Sequence, residues 1–370
     1  MKPNKNQWYD IHNKNSDLVA EVKDYSTNDG ANIYQKGGHN GDSQKWIFVP
    51  LNNDNYAIVN KNSGKVVQVD KNSMSQGANI LQWTWNGGNN QQWFIHDLGD
   101  GSRRFTNKNS GLVWDVESNS MNQGANILQW TWNGGNNQRW IYYAMGSFNL
   151  PSIQTYPLAP PPNYKDINDV LPDRTAMVTT NYTLAPCIAV GDPQKNDQQK
   201  VQTNPYYLYV RKQYWSKVES RVLAPGTAHG YKQTSGMTTT DQKTVTNTVS
   251  HTFGADVGLS FANRSGSKSL SAALSYQYSN ELSVQESRTE TELSVIEEAF
   301  TIENTNKYSV AWTKYILVSQ YYVQRVDGTI VNEPWTVTDY HNTYDCYYPL
   351  EASGMVNQRL SVDTNETIID

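Results

Sequence analysis

GANILQWTWNGGNNQ occupies residues 77–91 and returns letter for letter at 124–138, 47 positions on. The same step relates NKNSG at 60–64 to NKNSG at 107–111, and one step back finds a worn copy in NKNS at 13–16 and GANIYQ at 30–35. Gln-x-Trp marks each copy, as Gln44/Trp46, Gln91/Trp93 and Gln138/Trp140. A fixed period of this strength means three equivalent units that cannot bury their apolar faces alone and share one core. Glycine-bearing turns between short β-branched runs make each unit a set of strands. Trp46, Trp93 and Trp140 are read as core anchors, because large rings at symmetric positions fill a common interior.

Three such units resemble the ricin-B-type β-trefoil lectin domain over residues 1 to about 145. The resemblance implies sugar contacts at other positions: an acidic residue early in the repeat, an aromatic that stacks on the pyranose, and an Asn-Gln pair before the core Trp. A carboxylate and amides suit hydroxyls, and an indole covers the C–H face of a sugar. The third repeat carries the full set in Asp115, Trp130, Asn137 and Gln138. The second offers Gln68, Trp83, Asn90 and Gln91, with an amide in place of the carboxylate. The first offers Glu21, Lys36, Ser43 and Gln44 and has lost the stacking ring. Galactose-type sugars are the ligands the resemblance implies. The competing reading is that the copies preserve folding symmetry only.

The totals bound the function. The chain has 370 residues, enough for two or three domains, with 18% charged residues. Mean hydropathy is nevertheless −0.71, so the polarity comes from Asn, Gln, Ser, Thr and Tyr, which favours an all-β chain. A net charge of −5 leaves no footprint for nucleic acid. No run of 18 apolar residues could form a spanning helix, and the N-terminus lacks the apolar core of a signal peptide. A role outside the cell then implies release by lysis or another route. Cys187 and Cys346 are read as buried thiols, with a single bond between them as the alternative.

PSIQTYPLAPPP at 151–162 reads as a stiff extended connector. The expected domains are therefore 1–147, a proline-rich linker at 148–165, and a second β domain at 166–370. YLYVRKQYW (207–215) and YSVAWTKYILVSQYYVQRV (308–326) have strand composition. Ser/Thr-rich runs at 234–252 and 279–295 read as long polar strands flanking a hairpin. In that hairpin Phe253, Ala255, Val257, Leu259 and Phe261, then Leu270, Ala272, Leu274, Tyr276 and Tyr278, fall on alternate positions. One apolar face results, opposite a face of small and polar residues. Nine residues rise about 30 Å, or about 23 Å when tilted, just enough for a transmembrane β-strand. The plainer reading is an amphipathic hairpin on a soluble core.

LAPCIAVGDP (184–193), TNPYYLYVRKQYW (203–215) and TDQKT (240–244) resemble the insecticidal binary-toxin family of crystal proteins from spore-forming bacteria. That resemblance implies a trefoil joined to an elongated aerolysin-like antiparallel β-sheet domain. It also implies manufacture as a bacterial sporulation crystal, action outside the cell on insect-gut membranes, a cell-surface glycan or glycosylated receptor, homo-oligomerisation, and a second toxin component as a further partner. It implies no cofactor. Two nearly perfect trefoil repeats depart from the more degraded trefoils of that family, which favours direct glycan binding.

Enzyme chemistry finds little support. The six histidines are scattered without ligand spacing, so no metal site is expected. No Gly-x-Ser-x-Gly and no phosphate-binding glycine loop occur. Glu297 and Glu298 are adjacent and point to opposite faces of a strand, which does not suit an acid/base pair. The expectation is a non-enzymatic, pore-forming, glycan-binding toxin with no catalytic residues. Its rivals are a pure agglutinin and a lectin-guided glycoside hydrolase.

Overall fold

Each N-terminal repeat folds as four strands, because short apolar runs alternate with turns rich in Gly, Asn and Ser. The first supplies β1 (Gln7–Asn13), β2 (Val19–Val22), β3 (Ile33–Lys36) and β4 (Trp46–Pro50). The second supplies β5 (Asn55–Asn60), β6 (Val66–Val69), β7 (Ile80–Trp83) and β8 (Trp93–Asp97), and the third β9 (Arg103–Asn107), β10 (Val113–Val116), β11 (Ile127–Trp130) and β12 (Trp140–Ser147). The structure is a computed structural model and describes residues 2–51, 54–241, 243–244 and 295–360. The hairpin read at 253–278 lies outside the described residues.

Six of these strands close a ring: β1 pairs with β12 and β4, β4 with β5, β5 with β8, β8 with β9, and β9 with β12. Closure leaves no strand edge open. The hairpins β2–β3, β6–β7 and β10–β11 make the cap, completing a β-trefoil. Inside, Trp46, Trp93 and Trp140 are fully buried. Their indole N–H groups donate to Ala20 O (3.1 Å), Val67 O (3.0 Å) and Trp114 O (3.3 Å), so burial leaves no orphan donor. On the pseudo-threefold axis Asn32, Asn79 and Asn126 form a closed cycle of amide hydrogen bonds at 2.8–3.0 Å.

The second half is built on long antiparallel strands: β13 (Val178–Pro186), β14 (Tyr206–Leu223), β15 (Ala228–Ser235), β16 (Ile296–Asn304), β17 (Val310–Gln324), β18 (Trp335–Tyr348) and β19 (Met355–Arg359). One sheet runs β13-β14-β17-β18 and another β15-β16-β19. β14, with 18 residues, extends about 60 Å, which makes this domain elongated. A short helix, α1 (Asp197–Thr203), follows β13 and is closed by an Asn196/Gln199 capping box.

Two expectations are corrected. The run from 234 does not continue as a strand: β15 ends at Ser235, and residues 239–241 and 243–244 are helical. Thr238 caps that turn, its Oγ1 accepting from Asp241 N at 3.0 Å while donating to Asp241 Oδ2 at 2.7 Å. The proline segment is extended but not free. Residues 151–177 strap the β13-β14-β17-β18 sheet, with Trp215 Nε1 donating to Ala159 O (3.1 Å), Thr175 N to Trp215 O (2.9 Å) and Tyr315 Oη to Pro172 O (2.6 Å). Tyr164 and Leu171 from the strap pack with Ala311, Tyr315 and Cys346 in one apolar cluster. Proline supplies the extended backbone, and the apolar residues after it supply the attachment. Cys187 and Cys346 are both free and buried, and burial pushes their thiols up to about 12 and about 11.

The trefoil and the second domain share a core. Trp8, Ile47, Val49, Ala57, Val59, Val66 and Trp85 pack with Cys187, Ile188, Val190, Val201, Tyr206 and Tyr209. The contact falls chiefly on the first two repeats. Gly64 lies so close to α1 that a Cβ there would meet Asp197 O at 2.2 Å, whereas its counterpart Gly111 has open space. Lys65 bridges Asp29 (3.0 Å) and Asp197 (3.5 Å) across the junction.

Candidate functional site

Each of the three candidate sugar positions, one per repeat, spans a cap hairpin and the short 3-10 turn before the core Trp. In the third, Asp115 pairs with Leu128 and Trp130 with Val113. Residues 113 and 115 share a face of a strand, so Asp115 and Trp130 share one face of the hairpin. Trp130 is 41% exposed while Asp115 is 5% exposed, so an open indole stands beside a recessed carboxylate. Gln138 Nε2 donates to Asp115 Oδ2 (2.8 Å) and to Thr131 O (2.8 Å), and Asn133 N donates to Gln138 Oε1 (2.8 Å). Asn137 is anchored by its Nδ2 on Val116 O at 3.2 Å. Burial raises the Asp115 pKa, and the hydrogen bonds from Gln138 and Asn137 oppose the rise. The structure thus brings Asp115, Trp130, Asn137 and Gln138 together.

The second repeat repeats this frame with a neutral base. Gln91 Nε2 donates to Gln68 Oε1 (2.8 Å) and Thr84 O (2.9 Å), and Asn90 Nδ2 donates to Val69 O (3.0 Å). Trp83 is exposed. Each exposed indole rests over a glycine of the preceding repeat: a Cβ on Gly30 would sit 3.6 Å from Trp83, and one on Gly77 3.7 Å from Trp130. Gln68, Trp83, Asn90 and Gln91 are therefore also assembled, without the charge.

The first repeat is closed. Glu21 accepts from Gln44 Nε2 (2.7 Å) and from His39 Nε2 (2.8 Å), with Lys36 Nζ at 3.8 Å, and its side chain has no exposed surface. Tyr25 lies against His39 with ring centroids 5.5 Å apart. The sequence reading did not single out His39 or Tyr25. Their counterparts are Asn86/Asn133 and Asn72/Asn119, so the departure from Asn was the available signal. Among the described residues no three His, Cys, Asp or Glu side chains group to hold a metal, and no helix is long and apolar enough to cross a membrane.

Comparison with known proteins follows the same division. Residues 1–83, 42–130 and 89–156 match the family model described as ricin-type beta-trefoil lectin domain-like, and residues 178–348 match insecticidal crystal toxin, P42. The binary larvicide subunit BinA of Lysinibacillus sphaericus is 32% identical over 208 residues, which cover 55% of this chain and 53% of BinA. Subunit BinB from the same organism is 29% identical over 191 residues, 52% of this chain and 41% of BinB. The crystal structure of Cry35Ab1 superposes with a TM-score of 0.72 at 21% identity, covering 94% of this chain and 91% of that one. The chain is similar to the Bin and Cry35 toxins. It joins a ricin-type trefoil lectin-like domain to an insecticidal crystal toxin domain, and it spans about half the length of the curated relatives it matches.

Proposed function

We propose that this Bin/Cry35-type protein is an insecticidal toxin whose trefoil binds cell-surface glycans of galactose or GalNAc type. Two pockets do the binding, Asp115/Trp130/Asn137/Gln138 and Gln68/Trp83/Asn90/Gln91. The observation that carries this reading is the third-repeat pairing of an exposed Trp130 with a recessed Asp115 held by Gln138, on a domain fused to an insecticidal crystal toxin domain. An indole and a fixed carboxylate are what a pyranose needs: a flat apolar surface and an acceptor for vicinal hydroxyls. Single sugar sites bind weakly, so two per chain and several chains per assembly raise avidity.

The toxin domain then oligomerises, and each protomer adds the 253–278 hairpin to a closed barrel. Closure is needed because unpaired strand edges cannot sit in hydrocarbon. Alternation of Val257, Leu259, Leu274 and their neighbours with small and polar residues supports this step. The chemistry is non-enzymatic, and a second toxin component is a candidate partner because the relatives are named as binary subunits. The site of action is the insect-gut membrane, reached after release from a bacterial crystal.

The test is dye release from liposomes bearing a galactosyl glycolipid. Leakage is expected from wild type and is expected to be blocked by free lactose. Leu259→Asp should abolish leakage but not binding, since the cost of a charge on a barrel's lipid face, about 2–4 kcal/mol for Lys or Arg at mid-bilayer and less for Asp, is repeated in every copy of that strand in the barrel. Leakage that survives Leu259→Asp refutes the lipid-facing assignment; binding without any leakage favours an agglutinin, and release of reducing sugar favours a hydrolase.

A further inference from the structure

We propose that His39 is a built-in ligand of the first-repeat pocket, and that this self-occupation, more than the missing ring at position 36, limits the trefoil to two saccharide sites. The first repeat then holds a latent third site for a neutral sugar. The proposal rests on the reading of repeats 2 and 3 as sugar sites.

The three copies supply their own controls. At positions 39, 86 and 133 the backbone N–H donates to the side-chain oxygen of Gln44 (2.9 Å), Gln91 (2.8 Å) and Gln138 (2.8 Å). In repeats 2 and 3 the asparagine at that position also caps the turn, accepting from Gly88 N (2.9 Å) or Gly135 N (2.8 Å). His39 caps its own turn in the same way, with Nδ1 accepting from Gly41 N at 3.1 Å. An Nδ1 used as acceptor leaves the proton on Nε2 in the neutral ring. That Nε2–H lies 2.8 Å from Glu21 Oε2, beside Gln44 Nε2 at 2.7 Å on the same oxygen. Tyr34 Oη at 3.5 Å and Lys36 Nζ at 3.8 Å address the other oxygen.

The imidazole therefore gives the carboxylate the donor that a sugar hydroxyl would give it. In the third repeat the counterpart Asn133 caps the turn instead, and the side-chain donors to Asp115 are Gln138 and Asn137. Space agrees with chemistry. A Cβ on Gly41 would meet His39 at 2.6 Å and Tyr25 at 3.1 Å, whereas at Gly88 and Gly135 the nearest atoms are the Oδ1 of Asn90 and Asn137 (2.6 and 2.5 Å), with Asn86 and Asn133 Oδ1 farther off at 2.9 Å. Ser43, which replaces Asn90 and Asn137, is too short to fill that space.

The test is a set of full-length variants titrated with lactose and counted by native mass spectrometry. Wild type is expected to take two lactose molecules per chain. K36W/S43N, which restores the ring and amide but leaves the imidazole, is expected to remain at two. K36W/S43N/H39N is expected to take three. Three sites in K36W/S43N, or two in the triple variant while wild type also shows two, overturns the proposal. No lactose on wild type would instead sink the underlying reading of repeats 2 and 3. The plug is then decided on the ligand-free wild-type chain by 15N-histidine NMR. A fixed Nε2–H tautomer at His39 supports it; free averaging between tautomers overturns it.

Discussion

Gly64 and Gly111 hold the same place in repeats 2 and 3, at φ +72° and +71°. An alanine at either meets the same left-handed strain, about 1–2 kcal/mol, and restricts the unfolded chain equally. The two sites differ only in what surrounds them. At Gly111 nothing lies within 4 Å of the added carbon, while at Gly64 it would stand 2.2 Å from Asp197 O and 2.5 Å from Asp197 C. Those are backbone atoms, which cannot turn aside, so α1 must withdraw from the trefoil or the turn must distort. Overpacking of this kind costs about 1–3 kcal/mol. Gly111→Ala should therefore lose about 1–2 kcal/mol and Gly64→Ala about 2–5 kcal/mol. Urea unfolding followed by tryptophan fluorescence measures both, and the extra loss in Gly64→Ala should appear as earlier separation of the two domains. Limited proteolysis should expose the Cys187–Val201 segment in that variant alone. Equal destabilisation of the two variants would refute the idea that the second repeat is a docking face.

Trp130→Ala should weaken lactose binding at the third repeat at least tenfold, about 1.4 kcal/mol or more, with an unchanged circular dichroism spectrum; titration calorimetry reads this. Burial raises the Asp115 pKa, so the folded state holds its proton more tightly than the unfolded chain does. The resulting stability is present at low pH and lost as pH rises from about 3.9, the unfolded value, through the folded value. Asp115→Asn, which can still accept from Gln138, should therefore be more stable than wild type at pH 7, with a flatter acid stability profile and weaker lactose binding. Thermal scans between pH 3 and 7 test the sign. Arg325 pairs with Asp192 through two bonds at 2.7 and 2.8 Å, both groups being buried. Arg325→Met should cost about 3–5 kcal/mol, because Asp192 is left buried without its charge partner; urea unfolding of the toxin domain checks it.

Much of the trefoil was legible because repetition is a long-range signal written locally. The 47-residue step placed Gln44, Gln91 and Gln138 beside three core indoles, and the lectin resemblance it carries implied Asp115 and Trp130 as candidate sugar contacts. Strand composition likewise marked β14 and β17. Other features left weaker traces. A Thr238/Asp241 cap makes residues 239–241 and 243–244 helical where the sequence reads as strand, which composition alone could not foresee because both states use those residues. The proline segment reads as an extended connector, and its attachment to the sheet depends on Tyr164 and Leu171 finding a cluster supplied by β17 and β18.

The sequence by itself determined that three like units must share an interior, which side chains fill it, and which two repeats keep a ring beside their amides. Period and side-chain chemistry suffice for that, because every copy meets the same surroundings inside the barrel. Tertiary structure alone decided where the copies cease to be equal: Gly64 rather than Gly111 meets α1, Trp85 rather than Trp132 enters the shared core, and His39 turns its Nε2 onto Glu21. Those differences arise from neighbours far away in the chain, so no stretch of residues carries them until the fold brings its partners within reach.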